Sequence, residues 1–452
     1  MKRPNILYVN SHDTGRSIQP YGHAVATPHL QRLAEEGILF RQAFCAAPTC
    51  SPSRAALLTG QWPHNSGMLG LSHRGFSLSD YSQHIIHTLR RHGYYCALSG
   101  VQHVDGPGRG TASYASRIGY DVILDRKDMP SQWGHPMAEQ CAAEFLSGQP
   151  PQPFFLEVGF GQTHRPFPNP APEDDPRYTL VPASMPDTPQ TRLDMAGFKT
   201  SVRTLDCKIG VVLDALRASG LLDNTLVIYT TDHGMAFPGM KCNLTDQGIG
   251  VAQIMRGPGG FSGGQVCDAL VSHIDLFPTI CDLLEVPPPP WLAGCSMMPL
   301  VREEAQHIRE EVFAEVTYQA SYEPQRCVRT RRWNYIRRFD HRQRVVLPNC
   351  DDGPSKTVWL EEGWRDQPRA QEMLFDLAFD PNETNNLAGQ PQCAPVLAPM
   401  RARLDRWMRE TEDPLLKGPV PLPPGGVVND PDQLSPRDPL SGTGSETPMP
   451  GR

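Results

Sequence analysis

Short apolar runs separated by helical stretches set the main constraint on what this chain can fold into. Ile6-Leu7-Tyr8-Val9-Asn10 is the first. Tyr94-Tyr95-Cys96-Ala97-Leu98 follows a helical stretch from Ile85 to Arg91, and Phe154 to Phe160 is a third run. Thr225 to Thr231 follows a long helix of about Arg192 to Ser219. Runs this short, with no polar alternation, suit strands buried on both faces. Near the N-terminus Thr27 caps a helix that Pro28 opens, and Leu30, Leu33 and Ala34 give it an apolar face ahead of Ile38-Leu39-Phe40. Strands alternating with helices predict an α/β fold, a large mixed, mostly parallel sheet sandwiched by helices.

Each of the four strands ends in chemistry. His12-Asp13, Gln102-His103, His164-Arg165 and Asp232-His233 each follow a different apolar run. In open α/β sheets ligands bind beyond the carboxyl ends of the strands, so groups far apart in sequence converge there. Fifteen histidines scattered at random would rarely place one after each of four strands.

The densest motif is Cys50-Ser51-Pro52-Ser53-Arg54-Ala55-Ala56-Leu57-Leu58-Thr59-Gly60. Ser51-Pro52 breaks the preceding segment, and Ser53 is the expected cap of a short helix through Leu58. Cys50 and Arg54, four residues apart, share a face if that turn is helical. A nucleophile beside a guanidinium at a helix N-terminus is placed to receive an oxyanion. This stretch resembles the signature of the type I sulfatases. In that family the cysteine is oxidised to formylglycine, and the hydrate of that aldehyde attacks sulfur.

The resemblance extends over roughly residues 4 to 415 and is nearest to the heparan N-sulfatase (sulfamidase) type and its bacterial relatives. Met185-Pro186-Asp187-Thr188-Pro189 and Arg203-Thr204-Leu205-Asp206 support that subgroup. It implies an alkaline-phosphatase-like sheet and a divalent metal held by His12, Asp13, Cys50, Asp232 and His233. It further implies Arg54 holding the nucleophile, His103 as a base, His164 protonating the leaving group and Lys241 binding the sulfate. The implied partners are a small-molecule or saccharide sulfate ester or sulfamate and a formylglycine-generating maturation enzyme.

Two departures from the family pattern matter. His12 stands where the family has an aspartate, so calcium, the family default, meets competition from manganese or another transition metal. Val101 replaces the lysine of the family's Gly-Lys-x-His. Losing that cation would cost about 2–4 kcal/mol of charge stabilisation unless Gln102 or Arg165 substitutes. His233 and Val101 keep a phosphonate monoester or phosphodiester hydrolase of the same superfamily as an alternative, and a non-catalytic sugar-binding descendant as a third reading.

Composition bounds the rest. The chain has 452 residues, 39% hydrophobic and 20% charged, with a net charge of -7, which argues against a nucleic-acid binder. Its N-terminus shows no apolar leader or membrane span, so the expected location is cytoplasmic, with no membrane partner. Twelve cysteines without metal-type pairs fit reduced thiols, and a homo-oligomer stays open. After about Leu300 the pattern turns antiparallel, with Glu311 to Val316, Cys327 to Thr330, Trp333 to Phe339 and Met373 to Leu377, closed by a helix of about Ala394 to Arg409. The expected units are a catalytic α/β domain at 1–300, a C-terminal α+β subdomain at 301–418 and a Pro/Gly-rich tail at 419–452, flexible or partner-contacting.

Overall fold

The computed structural model describes residues 3–106, 117–124 and 137–442. Eight strands form the main sheet: β1 (Asn5–Ser11), β2 (Ile38–Phe44), β3 (Tyr95–Gly100), β4 (Val122–Leu124), β5 (Phe154–Gly159), β6 (Thr225–Thr231), β7 (Gln253–Arg256) and β8 (Gln265–Ser272). Their spatial order is β4-β3-β5-β1-β6-β7-β2-β8. All neighbours run parallel except β7, which lies antiparallel to both β6 and β2.

Register explains why the site forms where it does. Asn10 pairs with Gly159 on one side and Thr230 on the other, and Gly159 pairs with Gly100. Strands β3, β5, β1 and β6 are therefore adjacent and end level. The residues after each start from one line. Gly100 and Gly159 permit this close approach: a Cβ on Gly159 would lie 1.9 Å from the Val101 carbonyl oxygen.

Helices cover both faces. On one side Leu7, Val9, Leu156 and Val227 pack against Phe198, Val202, Leu205 and Ile209 of the helix Pro189–Ala218. Thr188 caps that helix by accepting from the Thr191 amide, so it begins three residues before the expected Arg192. Ile6, Tyr8, Phe40 and Ile228 face the other side, toward Leu57, Ile86 and Phe277.

A second sheet of β9 (Glu311–Tyr318), β10 (Tyr322–Thr330), β11 (Trp333–Arg338) and β12 (Glu372–Asp376) is antiparallel throughout. Period two places Cys327, Ile336 and Phe375 toward the main core, and Val328, Tyr335 and Leu374 toward the helix Ala394–Glu410. Both faces of this small sheet are thus buried. The two units share their core: Trp62 of the first meets Trp407 of the second edge-to-face at 5.2 Å.

Between them lies a buried ion cluster. Arg326, fully buried, meets Asp413 at 2.5 Å and Glu315 at 3.2 Å, and His64 Nδ1 lies 2.6 Å from Glu315. The twelve cysteines are free. No helix among the described residues is long and apolar enough to cross a membrane.

The 419–452 stretch departs from the flexible tail expected of its composition. As far as Gly442 it is docked: Val427–Asn429 pairs with Leu440–Gly442, and Asn429 is fully buried. Backbone hydrogen bonds, such as Asn429 N–H to the Ala320 carbonyl at 2.8 Å, hold it, and its apolar side chains Val420, Leu422 and Val428 pack against the main core. Residues 443–452 lie outside the described residues.

Arg326→Leu leaves Glu315 and Asp413 facing each other without their cation, and stability should fall by about 3–5 kcal/mol. Urea unfolding followed by tryptophan fluorescence checks this; an unchanged midpoint would contradict the role given to the cluster.

Candidate active site

Helix Cys50–Thr59 starts one turn earlier than the Ser53 cap implied. Thr49 precedes it in extended conformation, and Ser53, inside the first turn, donates its hydroxyl to the Asp232 carbonyl. This puts Cys50 at the helix start and Arg54 one turn on, both facing the ends of β1 and β6. Arg54 is buried and donates to the Asn10 side chain, to the Ser11 carbonyl at 3.2 Å and to Asp232 Oδ2 at 3.2 Å.

His12, Asp13, Cys50, Asp232 and His233 are all buried, and one donor atom from each lies within 4.8 Å of every other. His12 Nδ1 is 2.8 Å from Asp13 Oδ1 and 3.2 Å from Asp232 Oδ2. His233 Nε2 is 3.3 Å from Asp13 Oδ1 and 3.4 Å from Cys50 Sγ. Its Nδ1 lies 3.0 Å from the Gly234 carbonyl oxygen, an atom that only accepts, so Nδ1 carries the proton and Nε2 presents its lone pair to the cluster. Asp13 sits at φ 56°, in the left-handed region, and His103 at φ 58°. Non-glycine residues enter that region at a cost, and here both belong to the site.

Electrostatics keep these groups in ligand form. Burial opposes ionisation of Asp13, but Lys241 and the neighbouring histidines outweigh it and hold its carboxyl well below the usual range. Burial likewise opposes Asp232, where His12, His233 and Arg54 prevail and bring it to about 2. Burial lowers His12 to about 4, against the pull of Asp232 and Asp13. Two carboxylates and two imidazoles, one with a lone pair fixed by a carbonyl, fit a divalent cation.

Further polar groups stand around this floor. Lys241 Nζ bridges Asp13 Oδ2 at 3.0 Å and Asp351 Oδ2 at 2.9 Å. The His103 ring centre is 5.6 Å and the His164 ring centre 4.7 Å from that of His12. His164 Nδ1 lies 2.6 Å from its neighbour's carbonyl oxygen, at Arg165, which leaves Nε2 as the atom that gives and takes a proton.

Two residues do not face substrate as expected. Arg165 is tied by a bidentate pair to Asp194 at 2.7 Å and by Nε to the Ala236 carbonyl at 2.7 Å. Gln102 is spent on its own loop, accepting from the Val104 and Asp105 amides and donating to the Asp105 carbonyl. Neither replaces the cation missing at Val101. Among the described residues, Arg54 and Lys241 are the cations that touch the cluster.

Sequence reasoning missed Asn10, Asp351 and Asp194. Asn10 orients Arg54 and is itself held by Glu157 at 3.3 Å, a buried acid that desolvation pushes up to about 7. Its position at the end of β1, level with the other site residues, was the available signal. Asp351 comes from the other lobe and carried none.

An open sheet whose carboxyl edge gathers a nucleophile, two acids and four histidines beside a helix start is the centre of a hydrolase with room for a metal. Known proteins agree. The sulfatase family profile matches residues 4–286, and that of the N-sulphoglucosamine sulphohydrolase C-terminal region matches residues 240–360. Human N-sulphoglucosamine sulphohydrolase is 31% identical, over 96% of this chain and 94% of its own. An ulvan-active sulfatase of Formosa agariphila is 25% identical, over 91% of this chain and 76% of its own. A solved 2-O GAG sulfatase superposes with a TM-score of 0.70 at 21% identity, covering 94% of this chain and 96% of that one. A protein solved in complex with its substrate D-glucosamine-2-N,6-O-disulfate gives 0.71 at 18%, covering 92% and 99%. The chain belongs to the sulfatase family.

Lys241 and a bound cation are like charges on opposite sides of Asp13. Lys241→Met should therefore raise divalent-metal affinity by roughly tenfold while lowering turnover about 10²–10³-fold. Isothermal titration and steady-state kinetics on one preparation separate the two effects; loss of metal binding would contradict the placement of Lys241.

Proposed function

We propose that this sulfatase hydrolyses a sulfate ester or sulfamate of a saccharide, using an aldehyde made from Cys50 by a maturation enzyme and one divalent metal. The observation that carries this is the five-residue cluster with Cys50 inside it. The family membership and the saccharide sulfates named for the relatives support the substrate class.

His12, Asp13, Asp232 and His233 would hold the metal together with residue 50. When bound, the ion would add positive charge beside the sulfuryl oxygens and lower the pKa of the attacking hydroxyl. Two imidazoles among the ligands favour a first-row transition metal such as manganese over the family's calcium. Arg54 holds residue 50 against the cluster and, with Lys241, balances charge that builds on the sulfuryl group. His103 is placed to take a proton at the residue 50 side, and His164 Nε2 to give one to the departing oxygen or nitrogen. Both rings lie beside that of His12.

The phosphonate or phosphodiester reading rests on His233 and on Val101. Rates on an aryl sulfate and an aryl phosphonate with matched leaving groups discriminate the two, and faster phosphonate turnover would overturn the sulfatase assignment of substrate. Mass spectrometry of the Cys50 peptide, from a host with a maturation enzyme, should show the mass loss of thiol-to-aldehyde conversion, and Cys50→Ala should lose measurable hydrolysis. Unmodified cysteine in fully active protein would refute the aldehyde; activity retained in Cys50→Ala would refute catalysis at this residue. Metal analysis of the same sample should return about one transition-metal ion per chain.

A further inference from the structure

Exposure rises in steps away from the buried cluster. His12, Asp13, Asp232 and His233 are at most 4% exposed, His103, His164 and Asp351 are half-buried, and His73 is exposed. These last four mark the mouth of the site. His73 lies parallel to His103, ring centres 5.7 Å apart and 3° from coplanar, so one of its faces covers that residue. Asp351 comes from the second lobe, with a carboxylate oxygen on Lys241 and a ligand atom within 4.8 Å of those of His164 and Asp13.

A carboxylate at the entrance of a site for an anionic substrate repels it, unless the substrate brings hydrogen-bond donors to that carboxylate. Saccharide hydroxyls supply such donors, and so does the amine released from a sulfamate. A flat imidazole on the other lip suits the face of a sugar ring.

Both lips are held by one segment. The residue after His73 is Arg74, mostly buried, which donates to the Ala320 carbonyl at 3.2 Å and the Pro436 carbonyl at 3.3 Å. Gly75 packs backbone to backbone on Gly426, where an added Cβ would come within 2.9 Å. The residue after Asp351 is Asp352, which accepts from the Ser435 hydroxyl at 2.5 Å. Lys356 ties the same loop down, donating to the Leu434 and Cys350 carbonyls at 2.7 Å each. Segment 425–438 thus crosses between a loop of the first lobe and a loop of the second, touching each beside the lip residue.

We propose that His73 and Asp351 contact the saccharide borne by the sulfuryl group, and that segment 425–438 is the positioning element that sets the gap between them. This rests on the sulfatase reading above and adds which residues select the leaving group.

The experiment compares D-glucosamine-2-N,6-O-disulfate with 4-nitrophenyl sulfate, which lacks sugar hydroxyls. His73→Ala and Asp351→Asn should lower kcat/KM on the saccharide at least tenfold more than on the aryl ester. Ser435→Ala should raise KM for the saccharide several-fold, leave kcat intact and leave aryl sulfate kinetics unchanged. Thermal melting of each variant checks folding, and Asp351→Glu should recover part of the saccharide selectivity. Parallel losses on both substrates, or no loss on the saccharide, overturn the inference while the sulfatase reading stands. Wild-type enzyme active on the aryl ester but inert on the saccharide overturns both the inference and the saccharide class; a wild type inert on both overturns the sulfatase reading itself.

Discussion

Two carboxylates forced together in a buried pocket are the constraint on which everything else depends. Asp13 and Asp232 are buried, and the Asp13 amide itself donates to Asp232 Oδ1 at 2.8 Å. Such a pair repels unless cations meet it. Arg54 answers Asp232 and Lys241 answers Asp13, each from a different part of the chain. The imidazoles of His12 and His233 complete the enclosure. Carboxylate oxygens and imidazole nitrogens gathered within 4.8 Å of one another are what a divalent ion would bind there, with Cys50 at the start of the helix beside them.

Placement of these groups comes from sheet geometry rather than from local sequence. Level ends on β3, β5, β1 and β6 set one starting line for the four segments that follow them. The Arg54–Asn10–Glu157 chain ties the helix to two of those strands, so the nucleophile's position depends on the sheet's register. Arg165, paired with Asp194 of the long helix, anchors the segment that carries His164. The second lobe then closes the site from above, pinned by its shared core and by Arg326.

Much of this was legible in the residues. Apolar runs of the right length gave the strands, and acids or histidines following each run marked the carboxyl edge, because that relation is local. Which strands lie side by side was not legible, since β1 pairs with residues 149 and 220 positions away. Arg165 read as a free cation because its partner Asp194 lies 29 positions away on a helix. Asp351 was invisible for the same reason. The stretch after 419 read as a tail because its composition lacks large apolar side chains, yet backbone hydrogen bonds and one buried asparagine dock it as far as Gly442. Ser53 read as a cap because its hydroxyl could serve one, whereas the acceptor it found was the Asp232 carbonyl.

The proposed chemistry requires a single metal held jointly by both carboxylates and residue 50. Anomalous X-ray scattering from crystals of the matured protein, collected above and below the absorption edge of the metal that co-purifies, tests it most directly. One peak within bonding distance of His12, Asp13, Asp232, His233 and the residue 50 side chain is the expected result. A peak elsewhere, or ligands that omit residue 50 or either aspartate, would contradict it.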